Sequence, residues 1–264
     1  MAGSCVAFAA QAEQPASVDF GKDYLIGLSL GASTAHMGDR DRNVNVKPVF
    51  SFEIGRLRIS RSRAGTLMSA GRGTAVETGV STDLVSRDDW SLSASLRMDN
   101  GRVLSDDPVW KDLPRIDDTL RARLSARKRF NRHWSTSFSA DQDILGKQGG
   151  ARFNVGLGYR LPVSEMAHWD LSANTGWGNG RYMQTHYGIS AASARLIGVD
   201  AYRPDGGIEN LQLGADYTHA LGENWVVFGG LNVSRLMRSA LDSPLVNRGT
   251  TYGMSVGLAW RSSR

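Results

Sequence analysis

Arg121, Arg123, Arg127 and Arg129 share one parity in the stretch 117–130, and the other parity holds Leu120, Ala122, Leu124, Ala126 and Phe130. A two-residue period is that of a strand, whose successive side chains point to opposite faces. Four guanidinium groups therefore stand on one side of one strand. Arg56, Arg58, Arg97 and Arg160 fall on the polar parity of their own runs. Lining a lumen, such a set makes a field that favours anions. The same groups can instead close onto Asp117, Glu53, Asp141 and Asp216 as ion pairs that fill an interior, because a buried charge requires a partner. Spacing alone leaves both readings open.

Little else in the chain has the form of a reactive centre. The histidines are His36, His133, His168, His186 and His219, and none sits in a Ser or Asp setting that resembles a nucleophile with its base. No metal-ligand spacing is present; His36 beside Asp39 and Asp41 offers only a loose cation contact. The expectation is a chain with no catalytic residue, no metal and no cofactor. The single Cys5 cannot form an internal disulfide.

The elements that carry these residues read as strands. The mean hydropathy is -0.30, and no apolar run approaches the ~20 residues of a membrane helix. That excludes helical spans and leaves open a membrane barrel, in which only every second residue must be apolar. Trp90, Leu92, Ala94, Leu96 and Met98 alternate with Ser91, Ser93, Ser95 and Arg97. Phe153, Val155, Leu157, Tyr159 and Leu161 alternate with Asn154, Gly156, Gly158 and Arg160. Tyr252, Met254, Val256, Leu258 and Trp260 alternate with Gly253, Ser255, Gly257 and Ala259. Twelve strands are predicted near 23–33, 44–54, 56–63, 74–84, 89–98, 117–130, 133–143, 151–161, 168–177, 208–220, 224–236 and 250–260. Short and long connections strictly alternate between them, the pattern of an outer-membrane barrel with short periplasmic turns and longer outer loops. The segment 181–190 breaks this parity and is assigned to the long loop 178–207 or to an inward-folded piece, with a helical turn in the Ala-rich stretch after it.

Trp90, Trp134, Trp169 and Trp225 each follow a short turn, and Trp260 closes the last strand. In a barrel they would form an aromatic belt at the periplasmic interface, where an apolar ring with a wet N–H is favoured. His133 and His168 would then point into headgroups or the periplasm. A soluble barrel or sandwich would instead pack these rings inward, but it must fill its interior with apolar groups, and here the second face carries Ser, Gly and Arg. The predicted fold class is therefore all-β, a transmembrane antiparallel up-and-down barrel of about twelve strands over 23–260. Residues 1–12, with their Ala10-Gln11-Ala12 site, read as the remnant of a secretory signal peptide, and 13–22 as a periplasmic segment. Ala2-Gly3-Ser4-Cys5 lacks the Leu of a lipoprotein site. The net charge of +5 is spread through the alternating segments, unlike the clustered patch of a nucleic-acid binder. Asp106-Asp107-Pro108 and Asp205-Gly206-Gly207 are turn formers. Outer loops meet lipopolysaccharide phosphates, which Arg102 and Lys111 could contact.

The stretch 223–246 carries Trp225, then small and apolar residues, then Val233-Ser234-Arg235-Leu236 and Leu241-Asp242-Ser243-Pro244. It closely resembles the penultimate strand and last loop of the MipA/OmpV family of Gram-negative outer-membrane proteins, also described as MltA-interacting proteins. The segments 181–194 and 159–172 resemble that family too, over a total of about 20–260. The family motif residues are thus Ser234, Arg235, Leu236, Asp242, Ser243 and Pro244. Two departures stand out: Trp260 is followed by Arg261-Ser262-Ser263-Arg264 where an aromatic end is usual, and Met237-Arg238-Ser239-Ala240 replaces an acidic loop start. The resemblance implies a non-enzymatic scaffold that tethers peptidoglycan-remodelling enzymes, a murein transglycosylase and a bifunctional murein synthase, to the outer membrane. Val85–Asp88, Asn131–Arg132, Pro162–Ala167, Leu221–Glu223 and Glu13–Lys22 are the periplasmic surfaces for such partners. The alternative is a porin-like channel with a basic, anion-favouring lumen, and a lipid-modifying barrel enzyme built around one His is a third reading.

Overall fold

Twelve antiparallel strands close on themselves, each hydrogen-bonded to its neighbours in sequence and the first to the last. The computed structural model describes residues 24–34, 42–61, 79–99, 116 and 118–262. The strands are β1 (Tyr24–Thr34), β2 (Arg42–Ile54), β3 (Leu57–Arg61), β4 (Gly79–Ser86), β5 (Trp90–Asp99), β6 (Thr119–Arg129), β7 (Trp134–Asp143), β8 (Ala151–Pro162), β9 (Ala167–Gly178), β10 (Gly207–Ala220), β11 (Trp225–Leu236) and β12 (Thr250–Arg261). They follow the order expected from alternation. The reading of 1–12 as a signal remnant and of 13–22 as a periplasmic segment lies outside the described residues, as do Arg102, Lys111, His36 and Asp117.

Closure runs from Leu25 opposite Arg261 to Ala32 opposite Met254. With it each described strand has a neighbour on both sides, which a bilayer demands because hydrocarbon offers no partner to a free N–H or C=O. The alternation then sorts side chains by solvent. Ile26, Leu28 and Leu30 of β1 and Met254 and Val256 of β12 point outward and are 50–60% exposed. Ser91, Ser93, Ser95, Ser125 and Ser135 point inward and are buried.

The inner wall is not polar throughout. Leu25, Val49, Val226, Phe228 and Ala259, on β1, β2, β11 and β12, form a buried apolar cluster. Glycine makes room for it, since a Cβ at Gly257 would lie 2.3 Å from the Phe228 ring. Each large member contributes about 1.5–3 kcal/mol by leaving water. The remaining strands carry most of the buried polar wall.

Among the described residues, bulges interrupt the ladders at Asp83/Val85 and at Ile208/Asn210. The second has a structural consequence. Ile208 and Leu211 both face outward, exposed by 39% and 45%, while Glu209 and Asn210 between them are both buried. The extra residue thus places a carboxylate inside the barrel that strict alternation would not.

The connection β9–β10 folds into two helices, α1 (Gly180–Tyr187) and α2 (Ala191–Ile197). Asn179 caps α1 by accepting from the Tyr182 amide, Ser190 caps α2 from the Ser193 amide, and Gly198 ends α2 at a φ of 70°. The parity-breaking segment 181–190 is therefore mainly helix and not a thirteenth strand. A third short helix, α3 (Arg238–Leu241), lies in the connection β11–β12.

The outward face predicts a depth-dependent cost for charge. Val256→Arg, halfway along β12 between Trp260 and Tyr252, is expected to lose about 2–4 kcal/mol, and Thr250→Arg at the strand's outer end no more than about 1 kcal/mol. Reversible denaturation of the barrel refolded into lipid vesicles measures both.

Candidate functional site

The inward carboxylate of Glu209 is where the barrel and its long loop meet. Its Oε1 accepts from the hydroxyls of Tyr182 and Tyr187, each at 2.8 Å, and its Oε2 from Arg152 Nε at 2.6 Å. Three converging donors satisfy an ionised carboxylate. Arg121, across the barrel on β6, stands 5.4 Å from the Tyr182 ring centre and donates to Asp99 at 2.6 Å and to Gly149 O at 2.8 Å. Tyr182 is thus held between β6 and β10. It lies on the inner wall itself: a Cβ at Gly178 would come within 2.4 Å of its Cδ1. Burial first, and then the Glu209 carboxylate, push the Tyr182 and Tyr187 hydroxyls well above the usual phenol range.

An apolar cluster backs this polar knot. Tyr182, Met183, Tyr187, Leu236 and Ala240 are buried together, with Leu241 and Val246 against them. Ser243 Oγ donates to Tyr187 O at 2.6 Å, and Tyr202 Oη to Ser239 O at 2.7 Å. The two outer connections are therefore knitted to each other and to the wall, forming a stopper in the mouth opposite the short turns.

Most of the sequence-predicted arginines are paired. Arg58 reaches Glu53 at 2.7 Å and Asp83 at 3.8 Å, Arg123 reaches Asp141 at 2.6 Å, and Arg97 reaches Asp141 at 3.9 Å. Arg121 takes Asp99 at 2.6 Å, and Arg160 takes Asp170 through two hydrogen bonds. Arg127 bonds Ser135 Oγ at 3.2 Å, and Arg129 bonds Asp88 O. Arg56 corrects the expectation: it lies in the tight turn between β2 and β3, exposed, because that turn needs Gly55 and its successor. His168 is a second correction. It faces the interior, 3.3 Å from Asp170, because it shares parity with Asp170. His133 stays in its turn, stacked on Tyr159.

Below the stopper lies a cavity of about 900 Å³. Its lining includes Asp88, Asp89, Arg132 and His133 of the short turns, so it opens at that end. Trp90, Trp134 and Trp225 begin their strands there, Trp169 lies near the start of β9, and Trp260 pairs with Trp225. Their side chains share the outward parity. Trp177, at the far end of β9, also points outward, 41% exposed.

Comparison with known proteins adds to this geometry. A family model described as MltA-interacting protein MipA matches residues 26–262. The Escherichia coli (strain K12) protein YiaT, an outer membrane protein by its name, is 23% identical over 243 residues, covering 89% of this chain and 90% of YiaT. Among solved structures, the NanC porin aligns with a TM-score of 0.43 at 7% identity, covering 89% of this chain and 98% of NanC. An outer membrane channel of Pseudomonas putida F1 aligns with a TM-score of 0.43 at 10% identity, covering 96% and 100%. A closed barrel with an apolar outer face, related in sequence to a protein named for the outer membrane, resides in the outer membrane.

The motifs of 181–194 and 233–244 meet at the stopper. Tyr182 and Tyr187 come from the first. From the second, Leu236 packs on them and Ser243 bonds Tyr187 O. Ser234 is buried inward, while Arg235 points outward; Asp242 and Pro244 are exposed. Arg152 was legible as a polar-parity residue of 151–161, yet only the bulge at 208–210 reveals Glu209 as its partner. Glu209→Gln leaves the largely buried Arg152 without a counter-charge and is expected to weaken the stopper by about 3 kcal/mol, read as faster tryptic cleavage at Arg181 and Arg195. Raising pH has the same direction. Phenols with elevated folded values contribute stability that is complete below pH ~10 and lost above it, so cleavage at these sites should accelerate in alkali.

Proposed function

Because the chain belongs to the MltA-interacting protein MipA family, we propose that it is a non-enzymatic outer-membrane scaffold that docks a murein transglycosylase, and through it a murein synthase, at its periplasmic mouth. The observation that carries this reading is the asymmetry of the lumen, stoppered at the loop end and open at the short-turn end. Short turns lie on the periplasmic side of such barrels. They offer little surface of their own, so the concave mouth between them is the docking feature, with Asp88, Asp89, Arg132 and His133 on its rim.

The outward aromatic residues fit this orientation. Trp90, Trp134, Trp169, Trp225 and Trp260 form the inner interfacial belt. Arg235 lies ten positions beyond Trp225 on the same face of β11. Ten residues of tilted strand rise about 25 Å, the height of the apolar band, which supports a contact of Arg235 with the phosphates of lipopolysaccharide.

A porin-like channel is the second reading, favoured by the inward arginines. Pairing weakens it, since Arg58, Arg97, Arg121, Arg123, Arg152 and Arg160 each have a carboxylate within 4.0 Å. The expected result in a planar bilayer is a folded barrel without steady conductance, whose purified form retains an MltA-type transglycosylase in a pull-down. Reversing the rim charges (Asp88→Lys with Arg132→Glu) should weaken that retention about tenfold, the scale of one or two complementary contacts. Steady anion-selective openings without enzyme retention would establish the channel instead.

A further inference from the structure

The basin beneath the stopper has a chemistry that enzyme docking at its rim does not use. We infer that it is a binding site for an acidic oligosaccharide reaching it from the periplasm. Its volume of about 900 Å³ suits a small ligand of one to a few rings. Two hydrogen-bonded rows cross its wall. The lower runs through Arg127, Ser137, Gly156, Asn174 and Gln212 on β6 to β10. The upper runs through Ser93, Ser125, Ser139 and Asn154 on β5 to β8. Adjacent strands are about 4.8 Å apart, close to the repeat of one sugar ring along a glycan. Ser, Asn and Gln side chains on these rows present hydroxyls and amides at about that spacing, and at Gly156 those of Asn174 and Ser137 lie across the gap.

Glycine keeps this wall shallow. A Cβ at Gly156 would fall 2.3 Å from Asn174 Oδ1 and 2.7 Å from Ser137 Oγ, and one at Gly158 2.9 Å from Ser135 Oγ. The polar side chains lie flat across these positions, leaving the floor open to a ligand. Neutral donors and acceptors in such density match sugar hydroxyls, each of which gives and takes a hydrogen bond.

Arg127 supplies the acidic requirement. Its guanidinium is half-buried and bonds Ser135 Oγ at 3.2 Å, and among the described residues no carboxylate lies within ion-pair distance of it. Asp170, on the nearby β9, is already held by Arg160 through two hydrogen bonds of 2.7 and 2.9 Å. A partly desolvated cation with a planar fork and no counter-ion is suited to a bidentate carboxylate. A ligand carboxylate at Arg127 places its ring over Ser137 and the following rings along the row toward Gln212.

Calorimetric titration of the full-length refolded barrel with digalacturonate, the neutral disaccharide lactose and inorganic phosphate tests this. Digalacturonate should bind, with lactose and phosphate at least about tenfold weaker. Arg127→Gln should lower digalacturonate affinity about ten- to a hundredfold, the ratio carried by one charge-assisted hydrogen bond. Arg235→Gln, on the outward face of β11, should leave it unchanged. Ser137→Tyr, which fills the basin from an exposed position, should abolish binding in a barrel shown by gel mobility to be folded. Lactose binding as tightly as digalacturonate, phosphate matching it (a lone anion site), an unaffected Arg127→Gln, or no heat with any probe would overturn the inference.

Discussion

A backbone amide in hydrocarbon has no water to turn to, and from that requirement the rest of this protein follows. Every strand must have two neighbours, so β1 must find β12. Once the ladder closes, the pleat divides each strand between lipid and lumen, and the sequence must alternate. Closing twelve strands also makes an interior wider than wall side chains can fill, since about eight strands give the width that they can. The inner cluster around Phe228 occupies one part of that space, the loop helices another, and a polar cavity the remainder.

Charge inside such a barrel is governed by proximity more than by number. The arginines of β6 form one line, yet Arg121 and Arg123 each have an acid on a neighbouring strand, Asp99 on β5 and Asp141 on β7. Glu209 serves Arg152 and two phenols at once. Such knots are weak sources of net stability but strongly specify geometry, because a half-made knot leaves a bare charge. The stopper is therefore fixed in one place by polar groups and fastened by the apolar contacts of Met183 and Leu236.

The barrel was legible because its rule has period two. Runs such as 90–98 and 252–260 state which residues meet lipid, and the short turns state where the chain reverses. Three things escaped that rule. Arg56 has the polar parity of the strand it abuts, yet the tight turn at Gly55 claims it. His168 stands next to the interfacial Trp169, yet adjacent residues in a strand face opposite ways, and it turns inward to Asp170. Glu209 is marked only by the polar doublet between Ile208 and Leu211, a break in alternation that does not say which way either residue faces. The segment 181–190 announced itself only by spoiling the strand parity, and its motif resemblance was a better guide to its importance than any periodicity.

The bulge in β10 sets an uneven tolerance for lost codons. Deleting one residue within an ordinary strand reverses the facing of everything on one side of the cut, putting arginines into lipid or leucines into the cavity. At 208–210 two successive residues already face inward, between Ile208 and Leu211 facing out. Removing Asn210 would straighten the strand and leave both flanks correctly oriented. Length variation among relatives, where it falls within a strand at all, should therefore collect at this kink, with the stopper's anchor retained on either side of the change.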